Sequence, residues 1–67
     1  MNMKGPSIAE NIKKLRLKLN LTQEKFAQKI GVSFSTVNEW ERGKRLPSPL
    51  AMRQIEELWR KVKRKRK

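Results

Sequence analysis

The chain has 67 residues, enough for one domain near the lower limit of independent folding, because so small a globule hides only about 60% of the surface its unfolded chain exposes. Apolar and charged residues each make up 36% of it, the balance of a soluble domain, and no apolar run approaches the roughly 18 to 20 residues of a membrane span. Eighteen Lys and Arg stand against six acidic residues, all Glu, for a formal net charge of +12, which favours polyanionic partners because basic surfaces release condensed counterions from phosphates. A generally basic, heat-resistant protein would show a similar excess. Cysteine is absent, which excludes disulfides and thiolate metal sites, and the opening "MNMKGPS" lacks the apolar segment of a secretory signal. The expected location is the cytoplasm, at the nucleoid in a prokaryote.

Ser7 followed by Glu10 reads as a capping box, so a first helix is expected to begin near Ile8. Ile8, Ile12, Leu15 and Leu19 recur at steps that keep one face of a 3.6-residue period, leaving Lys13, Lys14 and Lys18 in water. Arg16 sits at the border of that face, where a half-buried guanidinium calls for a carboxylate. Thr22 is the next cap, with Leu21 before it placed to pack on Phe26 as a hydrophobic staple. The second helix runs from about Gln23 to Ile30 and turns Phe26, Ala27 and Ile30 inward. Gly31 follows where a chain leaving a helix adopts positive φ. Ser33 caps a third helix from Phe34, with Val32 and Val37 as a second staple, so that a stop and a start signal are separated by one residue.

Counting about 100° per residue from Val37 places Trp40 and Glu41 on or beside the inward face of this third helix. Ser35, Asn38, Glu39 and Arg42 fall on the far side, and Phe34 lies about 60° from the core face. Gly43 ends the helix. In the linker "KRLPSP" Ser48 caps a fourth helix and Pro49 takes its first position. Ala51, Ile55, Leu58, Trp59 and Val62 form its apolar stripe, after which residues 60–67 carry seven cations in eight positions. The expected organisation is one domain over residues 1–62 and a flexible basic tail over residues 63–67. No internal repeat and no strand-like alternation is present.

Two short helices joined by a three-residue glycine turn, the second with a hydrogen-bonding outer face, form a helix-turn-helix, which sets a helix in the DNA major groove. "LTQEKFAQKIGVS" and "STVNEWERGKRLPS" resemble the lambda-repressor-like (Cro and XRE) helix-turn-helix family, with its small residue at Ala27, its turn glycine at Gly31 and its apolar positions at Val32, Val37 and Trp40. The resemblance spans about Ile8 to Leu58. It implies an all-α domain of four helices, with a fifth in many members, that binds double-stranded DNA as a transcriptional regulator. The family commonly pairs an arginine of the first helix with a glutamate ending the third, which implies an Arg16–Glu41 ion pair; Glu41 bonding Arg45 one turn on is the alternative. Gln23 matches a phosphate-binding position at a helix N-terminus. Phe34, Ser35, Asn38 and Glu39 match positions that reach base edges: Asn38 suits adenine N6 and N7, Glu39 a cytosine amino group, Phe34 a thymine methyl, and Ser35 several edges. Arg42, Lys44 and Arg45 resemble backbone contacts.

Bland readings stand beside these. Phe34 at the edge of the core could cover Val37 or Leu46, Glu39 could pair with Arg42 on its own helix, and Gln23 and each cation could be merely solvated. Leu58, Trp59 and Val62 could close the single core or pack on a second copy as a homodimer, whose half-sites would then be centred about 10 base pairs apart. With no His, Cys or Asp, and with its six glutamates explained by caps, helix pairs and exposed faces, the chain offers no catalytic constellation, metal site or cofactor site. Two further functions fit the composition. A protein-interaction module, such as an antitoxin or coactivator-like adaptor, would show an apolar patch in place of the polar face of helix three. A sequence-indifferent nucleic-acid coater would rely on the tail and on Lys13, Lys14 and Lys18.

Overall fold

A computed structural model describes the backbone of residues 5–64 and the side chains of residues 8–62. Four helices follow one another, α1 (Gly5–Lys18), α2 (Gln23–Ile30), α3 (Phe34–Glu41) and α4 (Pro49–Arg64), and no strand occurs among the described residues. The helix starts reflect local chemistry. Thr22 accepts from the Lys25 amide at 3.1 Å, Ser33 from the Thr36 amide at 3.2 Å, and Ser48 from the Ala51 amide at 3.2 Å, each hydroxyl satisfying a donor that the first helical turn leaves unpaired. Pro49 opens α4, where a missing N–H costs nothing.

The first helix departs from expectation. It begins at Gly5, so Ser7 lies inside its first turn instead of capping it. Pro6 explains the difference: its fixed φ suits a helix, and in the first turn its absent N–H would have had no intrahelical partner. At the other end, α4 continues through Arg64, so the expected tail of residues 63–67 begins on its last turn and otherwise lies outside the described residues.

Three helices end in the same way. In α1 the Asn20 amide bonds the Leu17 carbonyl at 2.9 Å and the Leu21 amide the Arg16 carbonyl at 3.1 Å; in α3 the Gly43 amide bonds Trp40 at 3.1 Å and the Lys44 amide Glu39 at 2.9 Å. Both are Schellman motifs closed by a left-handed residue. In α2 the amides of Gly31 and Val32 both land on the Ala27 carbonyl, at 2.8 and 2.9 Å. The left-handed residues are Asn20 (φ 63°), Gly31 (φ 92°) and Gly43 (φ 75°). Asn20 carries no glycine signal, yet asparagine tolerates this region better than most L-residues. These tight exits let α1, α2 and α3 reverse direction within a few residues.

The core is built from one stripe of each helix: Ile12 and Leu15 from α1, Phe26, Ala27 and Ile30 from α2, Val37 and Trp40 from α3, and Ala51 and Ile55 from α4. Leu21 and Val32, the residues preceding two of the caps, are partly buried against it, as are Ile8, Leu19, Leu58, Trp59 and Val62. Fully burying a Leu, Ile or Phe side chain contributes roughly 1.5 to 3 kcal/mol, so these few residues hold the domain together. α3 packs against both α1 and α2, while α4 covers α1 and α2. Gln54 of α4 adds a polar clasp, its Nε2 donating to the Ile30 carbonyl at the end of α2 at 3.1 Å.

Candidate nucleic-acid interface

Val37 and Trp40, both buried, fix the roll of α3 and so decide which of its residues face outward. Ser35 is exposed, and Asn38 and Glu39 are partly exposed. Phe34, at the first position of the helix, leaves 51% of its surface in water, and Leu46 leaves 69%. Neither forms part of the buried core, so Phe34 presents an apolar surface beside the polar residues of α3. In the connection after the helix, Arg42, Lys44 and Arg45 are all exposed. Arg45 reaches back to Glu39 with 3.6 Å between Nη1 and Oε1, both side chains about half exposed at 55% and 45%. Such an open pair contributes between nothing and about 1 kcal/mol and weakens with salt. Arg42 and Lys44 have no side-chain hydrogen bond or ion pair with the described residues.

The inner side of α3 is tied down by a different set of bonds. Arg16 Nε donates to Glu41 Oε2 at 2.7 Å and Nη2 donates to Oε1 at 3.2 Å, a fork-on-carboxylate pair linking α1 to the last residue of α3. The third guanidinium nitrogen, Nη1, donates to the Leu21 carbonyl at 2.9 Å, just before α2. Both side chains are nearly enclosed, 12% exposed for Arg16 and 6% for Glu41. Glu41 thus pairs with Arg16, while Arg45 pairs with Glu39.

Gln23 extends this network toward the outer surface. Its Nε2 donates to Glu41 Oε1 at 3.0 Å, and its Oε1 accepts from Asn38 Nδ2 at 3.2 Å. Four side chains from α1, α2 and α3 therefore form one continuous chain from the core border to the exposed face. No buried side-chain polar atom among the described residues lacks a partner, as a native interior requires. Sequence patterning placed Gln23 and Asn38 separately and gave no sign that they touch, since neither bond follows from periodicity within one helix.

Because α2 starts at Gln23, its first backbone N–H groups have no intrahelical partner, that of Lys25 being capped by Thr22, and one hydrogen of Gln23 Nε2 is left over beyond the bond to Glu41. The arrangement brings together a polar helix face, a helix N-terminus and three exposed cations on the following connection. Lys13, Lys14 and Lys18 lie exposed on α1. No group of three or more potential metal-ligating side chains occurs among the described residues, and no helix among them is long and apolar enough to cross a membrane. Residues 12–58 match a protein-family model described as helix-turn-helix. No curated protein and no solved structure gives a significant match.

Proposed function

Since the chain belongs to the Cro/C1-type, lambda-repressor-like helix-turn-helix family, a family of DNA-binding domains, we propose that it is a sequence-specific binder of double-stranded DNA that regulates transcription by inserting α3 into the major groove. The observation that carries this reading is the outward face of α3, polar and flanked by cations, on a helix held from behind by the Arg16–Glu41 pair. Asn38, Ser35 and Glu39 meet base edges there, and Phe34 at the start of the helix supplies an apolar contact suited to a thymine methyl. Gln23 and the α2 N-terminus take one phosphate, and Arg42, Lys44 and Arg45 take others along the backbone, fixing register without reading sequence. Arg45 loses little by leaving Glu39, because that pair is open to water.

Asn38→Ala separates reading from mere attraction. The substitution is expected to cost about 1 to 3 kcal/mol on the preferred duplex and little on a scrambled one, measured by fluorescence anisotropy at physiological salt. Equal losses on both duplexes would remove Asn38 from base reading. A second reading, a protein-interaction module, is favoured by the exposure of Phe34, Leu46 and Leu50. It predicts no preferred duplex and a partner whose binding is lost on Phe34→Ser.

A further inference from the structure

From Arg53 onward eight cations stand against two acids, which accounts for half of the net charge of +12. All of them belong to α4 or follow it in sequence, and α4 packs on α1 and α2 while hardly touching α3. Val37 of α3 and Ile55 of α4 are buried in the one core, so the outer faces of these two helices look away from a common centre, on different sides of the domain. Counting about 100° per residue, Arg53, Arg60 and Lys61 stand about 160°, 140° and 120° from Ile55, and all three are exposed. Lys61 lines a groove with Lys29, near the end of α2, where Gln54 donates to the Ile30 carbonyl and holds α4 in place. Lys29, Arg53, Arg60 and Lys61 make no side-chain hydrogen bond or ion pair with the described residues.

We propose that the outer face of α4, with Lys29 beside it, is a second nucleic-acid surface that takes the phosphates of another duplex, so that one copy of the domain holds two DNA segments together. The inference rests on α3 taking the first duplex. A duplex holding α3 in a major groove about 8.5 Å deep meets the outer face of that helix and the cations of the connection after it, and the outer face of α4 is turned away from it. α4 starts at Pro49, just after that connection, and a rise of about 1.5 Å per residue sets Arg60 and Lys61 roughly 17 Å further along its axis. Guanidinium and ammonium groups bind backbone phosphates by releasing condensed counterions, an attraction that is indifferent to sequence and weakens steeply with salt. The domain thus has one face that selects a site and another that takes any neighbouring duplex.

A bridging assay tests this with the full chain. The duplex it selects from random DNA is fixed to beads and saturated with protein, and capture of a fluorescent duplex of unrelated sequence is measured over a salt series. The comparison is a variant combining Lys29→Gln, Arg53→Gln, Arg60→Gln and Lys61→Gln, all at exposed positions, with its fold checked by circular dichroism. The unaltered protein is expected to capture the second duplex, and the variant to capture at least about tenfold less. Affinity of the variant for the selected duplex alone is expected to stay within about threefold, with an unchanged slope against salt. No capture by the unaltered protein overturns the inference. Capture undiminished in the variant also overturns it, since paired copies would then bridge through their α3 faces. A salt slope on the single duplex lowered by about one unit per cation removed overturns it as well, because these cations would then grip the duplex that α3 reads. Each of these outcomes leaves the DNA-binding reading standing. Bridging that the variant loses, by a protein with no preferred sequence, supports the second surface and contradicts sequence reading by α3.

Discussion

Replacing Arg16 with Met is expected to destabilise the helix-turn-helix. The substitution keeps the aliphatic stem and removes three hydrogen bonds, two to Glu41 and one to the Leu21 carbonyl. It leaves a carboxylate 6% exposed with Gln23 as its remaining donor. Breaking a buried ion pair by removing one partner costs about 3 to 5 kcal/mol. Arg16 is 12% exposed, at the border of the core, which puts the expected loss near the lower end, about 3 kcal/mol even with the Leu21 bond included. A domain of this size has a total stability of roughly 3 to 10 kcal/mol, and each kcal/mol moves its melting temperature by about 4 to 8 °C, so a fall of about 12 to 24 °C is expected. Thermal melts followed by far-ultraviolet circular dichroism and by the fluorescence of buried Trp40 measure it. The double variant Arg16→Met with Glu41→Met removes both charges and is expected to lose less than the two single variants combined, with a coupling of about 2 kcal/mol. A single-variant loss below about 1 kcal/mol, or a double variant equal to the sum of the singles, would refute the claim that this pair secures α3.

Gly31→Ala is expected to cost about 1 to 2 kcal/mol, because φ is +92° while nothing lies within 4 Å of the added Cβ, so the penalty is one of backbone conformation alone; a melt unchanged within about 0.3 kcal/mol would mean the turn readjusts freely. Lys44→Ala is expected to leave stability unaltered and to weaken binding to all duplexes alike, lowering the slope of log affinity against log salt by about one unit. An unchanged slope in a salt titration would take Lys44 out of the phosphate contacts.

What could be read from the sequence was the chemistry that acts over a few residues. The caps Thr22, Ser33 and Ser48 and the stops Gly31 and Gly43 are legible because a hydroxyl before an apolar period and a glycine after it answer needs of the backbone itself. Asn20 ends α1 by the same left-handed geometry, but asparagine is common elsewhere and gives a weaker signal than glycine. Ser7 has the signature of a cap, yet α1 starts at Gly5, because Pro6 is equally at home inside a first turn. Arg16 and Glu41 lie 25 residues apart, and no periodicity links them; only the family resemblance suggested the pair. The bonds of Gln23 to Glu41 and Asn38 depend on how α2 is set across α3, which neither local pattern nor family resemblance specifies. Phe34, near the core face by angle, is 51% exposed at the first position of α3, while Val37 is buried and Val32 partly buried against the core.

The central claim is that α3 reads base sequence. Its most direct test is selection of bound duplexes from a random DNA library at physiological salt, followed by titration of the enriched sequence and a scrambled control over a salt series. An enriched motif bound at least about a thousandfold more tightly than the control is the predicted result, and a palindrome within it would indicate a dimer. Absence of enrichment, with affinity falling equally steeply with salt on every duplex, would contradict the account and assign the charge of +12 to sequence-indifferent binding.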